Sequence, residues 1–300
     1  MFFLEFTHEK TRAPRRRGGD DGRLGRWSHV ACAIVVAAGV GRPALAAPTS
    51  AQSSDQPKPY LDAGLLPDGA AMLLPPPPYG SAALLLDQQV FLRSRALKQQ
   101  DPGRWALATS DAQLDDDHLL GGFACALDIV PDRVATPDLY RLLDRAARDM
   151  GSQTGAAREH FARARPYLRN HQPICVARFT SLDHSPSYPS GDATLGMGIA
   201  LILAELAPDR AGALLARGRA FGESRIVCGV HWLSDVQAGY LDAAALVATL
   251  HSSASFRADL DRARGELDAA RELATMHPDT AACTAEHDAA AHSLLFQPQP

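Results

Sequence analysis

His231 and Asp235 stand four residues apart, with Ser224 and Arg225 just upstream. If the chain is helical from Trp232 onward, His231 and Asp235 lie one turn apart on one face. A carboxylate there accepts a proton from one ring nitrogen and leaves the other with a free lone pair, which suits a ligand, a base or a nucleophile. Taken alone, this spacing describes an ordinary surface pair beside an unrelated arginine. Two further stretches change its meaning. Arg158 and Arg165 are seven residues apart, two helical turns, and Pro166 follows. On one continuous helix both arginines would point the same way. Pro189, Ser190, Gly191 and Asp192 form a tight turn before the apolar run that starts at Leu195. A turn of this kind opens a helix whose first N–H groups and dipole attract an anion. Three guanidiniums, a helix start and an oriented imidazole together describe a phosphate site with a nucleophile.

These three stretches resemble the K-x6-R-P, P-S-G-H and S-R-x5-H-x3-D blocks of the type 2 phosphatidic acid phosphatase superfamily. Within it the likeness is to the bacterial class A non-specific acid phosphatases, and it extends to Leu73-Leu-Pro-Pro-Pro-Pro78 with Gly80 and Ser81. It runs from about Tyr60 to about Leu267. The third block is matched in full. Two positions depart: Arg158 stands where the family has lysine, and Asp192 where the family has the histidine of P-S-G-H.

Charge suggests the chemistry. The transition state of phosphoryl transfer spreads charge over three equatorial oxygens. Arg158, Arg165 and Arg225 can clamp these without metal, and Ser190 with the N–H groups near Gly191 can add hydrogen bonds. His231 attacks in line to give a phosphohistidine, Asp235 stabilises the imidazolium, and water releases phosphate. The resemblance implies this same division of roles. In the family leaving-group protonation falls to the histidine of P-S-G-H, so here it would fall to Asp192; His184, eight residues upstream, reads as a solvated loop histidine rather than as a substitute acid. The expected activity is that of a metal-independent acid phosphatase acting on small-molecule phosphate monoesters, with no cofactor. A second reading is a phosphate- or vanadate-binding homologue with weak or altered activity, phosphotransferase or haloperoxidase-like.

The elements that must position these residues read as helices. Apolar periodicity marks residues 81–100, 139–150, 154–165, 194–206, 209–226, 232–250 and 255–276. A short buried helix is expected over 121–130, and a long loop over 167–187 leads into the Pro-Ser-Gly turn. Asp115, Asp116 and Asp117 lack the alternation of a calcium loop and read as a solvated helix face. The four prolines from Pro75 predict an extended surface segment. No alternating strand pattern or repeat appears. The predicted fold is all-α, a compact bundle-like domain over 60–278 with its site at helix N-termini and loops.

The 300 residues are 46% apolar, enough for a buried core, and the net charge of −4 gives no basic excess suited to nucleic acid. An arginine-rich start, an apolar run from Val30 to Val40 and Ala44-Leu-Ala46 predict a signal peptide over 1–46. Its removal takes away eight Lys/Arg and four Asp/Glu, so the mature charge is −4 − 4 = −8. A flexible segment over 47–59, a loosely held tail over 279–300 and a periplasmic or secreted destination follow. No later apolar run is long enough to insert in a membrane. Cys125, Cys175, Cys228 and Cys283 allow up to two disulfides in three pairings. Cys228, near His231, reads as packed or bridged rather than as a nucleophile. The resemblance also implies a homo-oligomer.

Overall fold

The computed structural model describes residues 57–170, 172–273 and 276–292, apart from the side chains of Asp116 and Arg169. The predicted signal peptide, most of the 47–59 segment and the last eight residues lie outside this range. Every regular element among the described residues is helical. The short α1 (Gly69–Met72) precedes the extended proline segment, whose Leu74 and Tyr79 are exposed. Helix α2 (Ala82–Gln100) starts at Ser81, whose Oγ accepts from the Leu84 N–H. After α3 (Pro102–Ser110) come α4 (Asp116–Gly121) and α5 (Ala124–Leu127). The single helix expected over 121–130 is therefore only one turn, closed by Asp128 in the left-handed region. Asp115 and Asp117 are exposed, as expected of a solvated face, and Asp115 is in addition the N-cap of α4.

Helix α6 (Pro137–Phe161) is continuous where the sequence suggested two. Then follow α7 (Thr180–His184), α8 (Gly191–Leu206), α9 (Ala211–Cys228), α10 (Leu233–Leu250), α11 (Ala254–Arg271) and α12 (Thr280–Ala291). From Leu195 to Ala204, α8 carries no ionisable side chain. A helix apolar all round has to be enclosed, and α8 is packed against α6, α9, α10 and α11. Ile199, Ile202 and Leu203 of α8 meet Leu142 and Met150 of α6, Phe221 of α9, Leu246 of α10 and Phe256 of α11 in the main core.

The tail expected to be loose contains α12, which is tied down. Cys283 is bonded to Cys125 of α5, and Glu286 reaches Arg217 at 3.2 Å. The second disulfide joins Cys175, in the segment before α7, to Cys228 at the end of α9. Of the three pairings open to the sequence, this is the one adopted. No described helix is long and apolar enough to cross a membrane.

Candidate active site

The site is built where four chain segments meet: the end of α6 with the chain after it, the turn into α8, the end of α9 and the start of α10. Helix α9 stops at Gly229, which adopts φ +83, the left-handed conformation that a glycine takes at no steric cost. Buried Arg95 of α2 closes this end by donating to the carbonyls of Ile226, Val227 and Cys228. A Cβ on Gly229 would lie 2.3 Å from Arg95 Nη1. Val230 and His231 then lead to Trp232, the N-cap residue of α10.

His231 is buried, and its Nδ1 lies 2.9 Å from the Ser187 carbonyl. A carbonyl only accepts, so Nδ1 carries the proton and Nε2 keeps its lone pair. Nε2 faces Arg165 Nη1 at 3.1 Å. The expected partner Asp235 is one step further away, with Oδ2 3.4 Å from Nδ1. His231 precedes the helix, so the one-turn spacing does not bring the ring directly onto the carboxylate. Asp235 instead accepts from the Trp232 N–H at 2.8 Å and from Arg163 at 2.6 Å. Burial, and then the charges of Arg165, Arg225 and Arg158, hold the His231 pKa well below 6.5. Burial pushes the Asp235 carboxyl up to about 7, against the pull of Arg163 and the Trp232 N–H.

Arg158 and Arg165 converge by a route the sequence did not indicate. Arg158 is in the last turn of α6, but the helix ends at Phe161. Ala162 turns left-handed at φ 46, and Arg165 is extended before the 3₁₀ turn Pro166–Arg169. The arginines do not share a helix face. Both are instead drawn to the loop before the Pro-Ser-Gly turn. Arg158 Nε donates to the Pro186 carbonyl at 2.8 Å, and another of its N–H groups donates to Ser185 Oγ. Arg165 donates to the carbonyls of Ser185 and Val230, each at 3.0 Å. Burial, and then the neighbouring charge of Arg158, lower the Arg165 pKa to about 10.

Ser190 is the N-cap of α8, its Oγ accepting from the Ala193 N–H at 3.3 Å. Its own N–H donates to the Asp235 carbonyl at 2.9 Å, which docks the α8 turn on the start of α10. Gly191, the first helical residue, sits beside Arg158: a Cβ there would be 3.6 Å from Nη1. Asp192 follows and does not cap the helix. Its Oδ2 lies 2.8 Å from Nε of Arg225. This is an ion pair by distance only. Arg225 Nε and Nη1 are buried without a hydrogen-bond partner among the described residues. A guanidinium in that state is a recipient for an anion's oxygens. His184, which reads as a solvated histidine rather than as a substitute acid, is exposed at the end of α7.

The PAP2 superfamily profile matches residues 150–258, the span that holds every predicted site residue. An acid phosphatase of Zymomonas mobilis subsp. mobilis is 41% identical over 259 residues, covering 86% of this chain and 97% of that one. A non-specific acid phosphatase of Providencia stuartii is 34% identical over 69% of this chain and 84% of its own length. One of Salmonella typhimurium is 32% identical over 65% and 78%. The chain belongs to the PAP2 superfamily. Within it, the relatives are bacterial acid phosphatases, as the three blocks implied.

The PAP2 site contains residues that its motifs do not announce. Arg163 lies between Arg158 and Arg165, and a helical reading turns it to a different face. In the structure it binds Asp235 on one side and Asp87 of α2 on the other, at 2.6 and 2.7 Å. Asp87 carried no signal, being 76 residues away from its partner. Ser187 supplies the carbonyl that fixes the imidazole. Its neighbourhood to the Pro-Ser-Gly turn was visible, its role was not. Ser224 of the third block points away from the anion site into a buried network, accepting from Arg104 at 3.0 Å and donating to Asp111 at 2.5 Å.

Proposed function

We propose that this chain is an exported acid phosphatase that hydrolyses small phosphate monoesters through a phosphohistidine on His231. The observation that carries the reading is the state of the imidazole. Its Nδ1 proton is committed to the Ser187 carbonyl, and its Nε2 lone pair faces a cluster of guanidiniums. Burial and those cations lower its pKa, which favours the unprotonated, attacking form at acid pH.

Arg158, Arg165 and Arg225 receive the three equatorial oxygens, Arg225 through its unpartnered N–H groups. Ser190 and the first N–H groups of α8 at Gly191 add hydrogen bonds from a helix start. His231 Nε2 attacks phosphorus while the bond to the leaving oxygen breaks, and Asp192 delivers a proton to that oxygen. The imidazolium that forms is steadied by the Asp235 carboxylate at 3.4 Å. Water then attacks phosphorus, gives its proton to Asp192, and the P–N bond breaks. The guanidiniums supply the positive charge that a divalent metal would otherwise bring, so no cofactor enters the scheme. Two disulfides and an arginine-rich apolar start support a periplasmic or secreted site of action.

A second reading has one observation in its favour. Asp192 rests against Arg225 in the place of a substrate oxygen, as it would in a phosphate-binding homologue with little turnover. Turnover of p-nitrophenyl phosphate by mature protein in EDTA separates the two. The phosphatase reading expects hydrolysis, inhibition by vanadate and acid-labile phosphate trapped on the wild type. His231→Ala should lose the label and roughly 10⁴–10⁶ of kcat. Phosphate binding without turnover would favour the second reading, and equal turnover by His231→Ala would refute the first.

A further inference from the structure

The carboxylate behind the nucleophile has its own support, and that support reaches across to α2. Asp235 is wholly buried, and its Oδ1 accepts from Arg163 Nη1 at 2.6 Å. The same Nη1 donates to Ser234 Oγ at 2.7 Å. Arg163 Nη2 donates to Asp87 Oδ2 at 2.7 Å. Ser234 closes the ring: its Oγ donates to Asp87 Oδ2 at 2.6 Å and its N–H to Asp87 Oδ1 at 2.9 Å. The guanidinium also lies over the Trp232 ring, 5.3 Å from its centroid, and that ring packs on Phe91 of α2. None of these contacts is needed to hold phosphate.

The geometry assigns Arg163 and Asp87 as positioning residues for the reaction: Arg163 anchors the carboxylate behind His231, and Asp87 with Ser234 anchors Arg163. The assignment rests on His231 being the nucleophile. Its logic is one of charge. A lone buried carboxylate is costly and takes up a proton. Arg163 alone would neutralise Asp235 but could swing to solvent, since it belongs to a chain segment outside any helix. Asp87, held by two hydrogen bonds from Ser234, fixes the far end of the guanidinium fork. Whenever Asp235 is ionised, the cluster carries two carboxylates and one guanidinium and so leaves net negative charge facing the imidazole. That charge favours the imidazolium-like character that develops as Nε2 bonds to phosphorus.

The groups facing Asp235 are His231, Arg163 and the Trp232 N–H, with the Ser187 side chain and Tyr188 from the turn before α8 and the charge of Arg158 from α6. Of these, Arg163 is the one whose charge opposes burial most strongly. Arg163→Gln should therefore let Asp235 keep its proton to higher pH. The expected result is kcat for p-nitrophenyl phosphate reduced by about 10–100-fold, with its acid limb moved to higher pH. KM and the inhibition constant of vanadate should stay within about twofold, because the phosphate clamp is untouched. Arg163→Lys should recover part of kcat, and Ser234→Ala, a milder change, should show a smaller shift in the same direction. If Arg163→Gln does not fold, Ser234→Ala and Asp87→Asn carry the test. An unshifted limb, or vanadate affinity falling in step with kcat, would overturn the assignment. Labelling of the wild type at His231 is measured alongside. If no phosphohistidine forms there, it is the phosphatase mechanism that fails. If it forms at the same rate and with the same pH profile in wild type and variants, only the positioning role fails.

Discussion

Asp192 places a carboxylate oxygen 2.8 Å from Nε of Arg225, on the guanidinium that has buried N–H groups to spare. On the proposed mechanism one side chain thus has two parts at once, proton donor to the leaving group and rival to the incoming phosphate.

Asp192→Asn separates these roles, because it keeps the shape while removing both the acid and the charge. Hydrolysis of alkyl phosphates should fall by roughly 10²–10⁴, while p-nitrophenyl phosphate, whose leaving group departs as an anion, should fall far less. Inorganic phosphate should bind more tightly as Arg225 is freed. Asp192→His should raise alkyl phosphate turnover near neutral pH. Measuring kcat/KM for both substrates at pH 5 and pH 7 decides it, and parallel losses for the two ester types would remove Asp192 from the leaving-group side.

If His231 is the nucleophile, the guanidiniums around it should set the acid limb of the free enzyme. Each lowers the pKa of His231, so replacing Arg225 with Gln must raise it and favour imidazolium. The acid limb of kcat/KM should move to higher pH, by on the order of half a unit to one unit, together with a higher KM. The depressed pKa also bears on stability. The unfolded histidine takes up its proton near about 6.5 and the folded one does not, so this residue makes stability fall as pH drops below that value. A thermal melt from pH 7 to pH 4.5 should show a smaller acid loss in His231→Ala than in the wild type.

Gly239 of α10 lies directly beneath the Pro-Ser-Gly turn into α8. A Cβ there would come 2.7 Å from the Ser190 carbonyl and 3.0 Å from Ala193 Cβ. Gly239→Ala must push the start of α8 away from α10, so KM should rise several-fold and stability should drop by about 1–3 kcal/mol. Urea unfolding and steady-state kinetics on one preparation check both. An unchanged KM would mean that the turn tolerates the shift.

The Cys125–Cys283 bond closes a loop of 158 residues and holds α12. Replacing both cysteines with serine should cost about 2–5 kcal/mol and lower Tm. It should leave kcat at 25 °C near wild type, since neither cysteine touches the anion site. Thermal melts of oxidised and reduced wild type, set beside the double variant, measure it.

What the sequence disclosed about this site was what short spacing can encode. His231, Arg225, Ser190 and the helix starts were legible because each rule involved spans of at most a few turns. The exit of Arg165 from α6 was not, because the residue that ends the helix is Ala162. Alanine favours helices, and nothing in its type announces a left-handed turn, for which glycine is the usual signal. The Asp87–Arg163 contact joins residues with no periodic relation. The disulfide pairing was equally closed, since a count of four cysteines is compatible with three pairings. The helical class was legible from apolar periodicity and the central place of α8 from its unbroken apolar run. Segment lengths were less so, as with α5, where Asp128 cuts the helix to one turn.

Helix α2 grips the catalytic turn twice, through Asp87 on Ser234 and through Arg95 on the carbonyls at the end of α9. These contacts span 147 and 131 residues of chain. Helices form from neighbours, whereas such contacts wait until the loop between them has closed. Contact span therefore sets an expected order: helices first, the active centre last. A chain still emerging, with α9 and α10 not yet made, lacks both partners of α2, and phosphatase activity becomes a late report that the whole domain has come together.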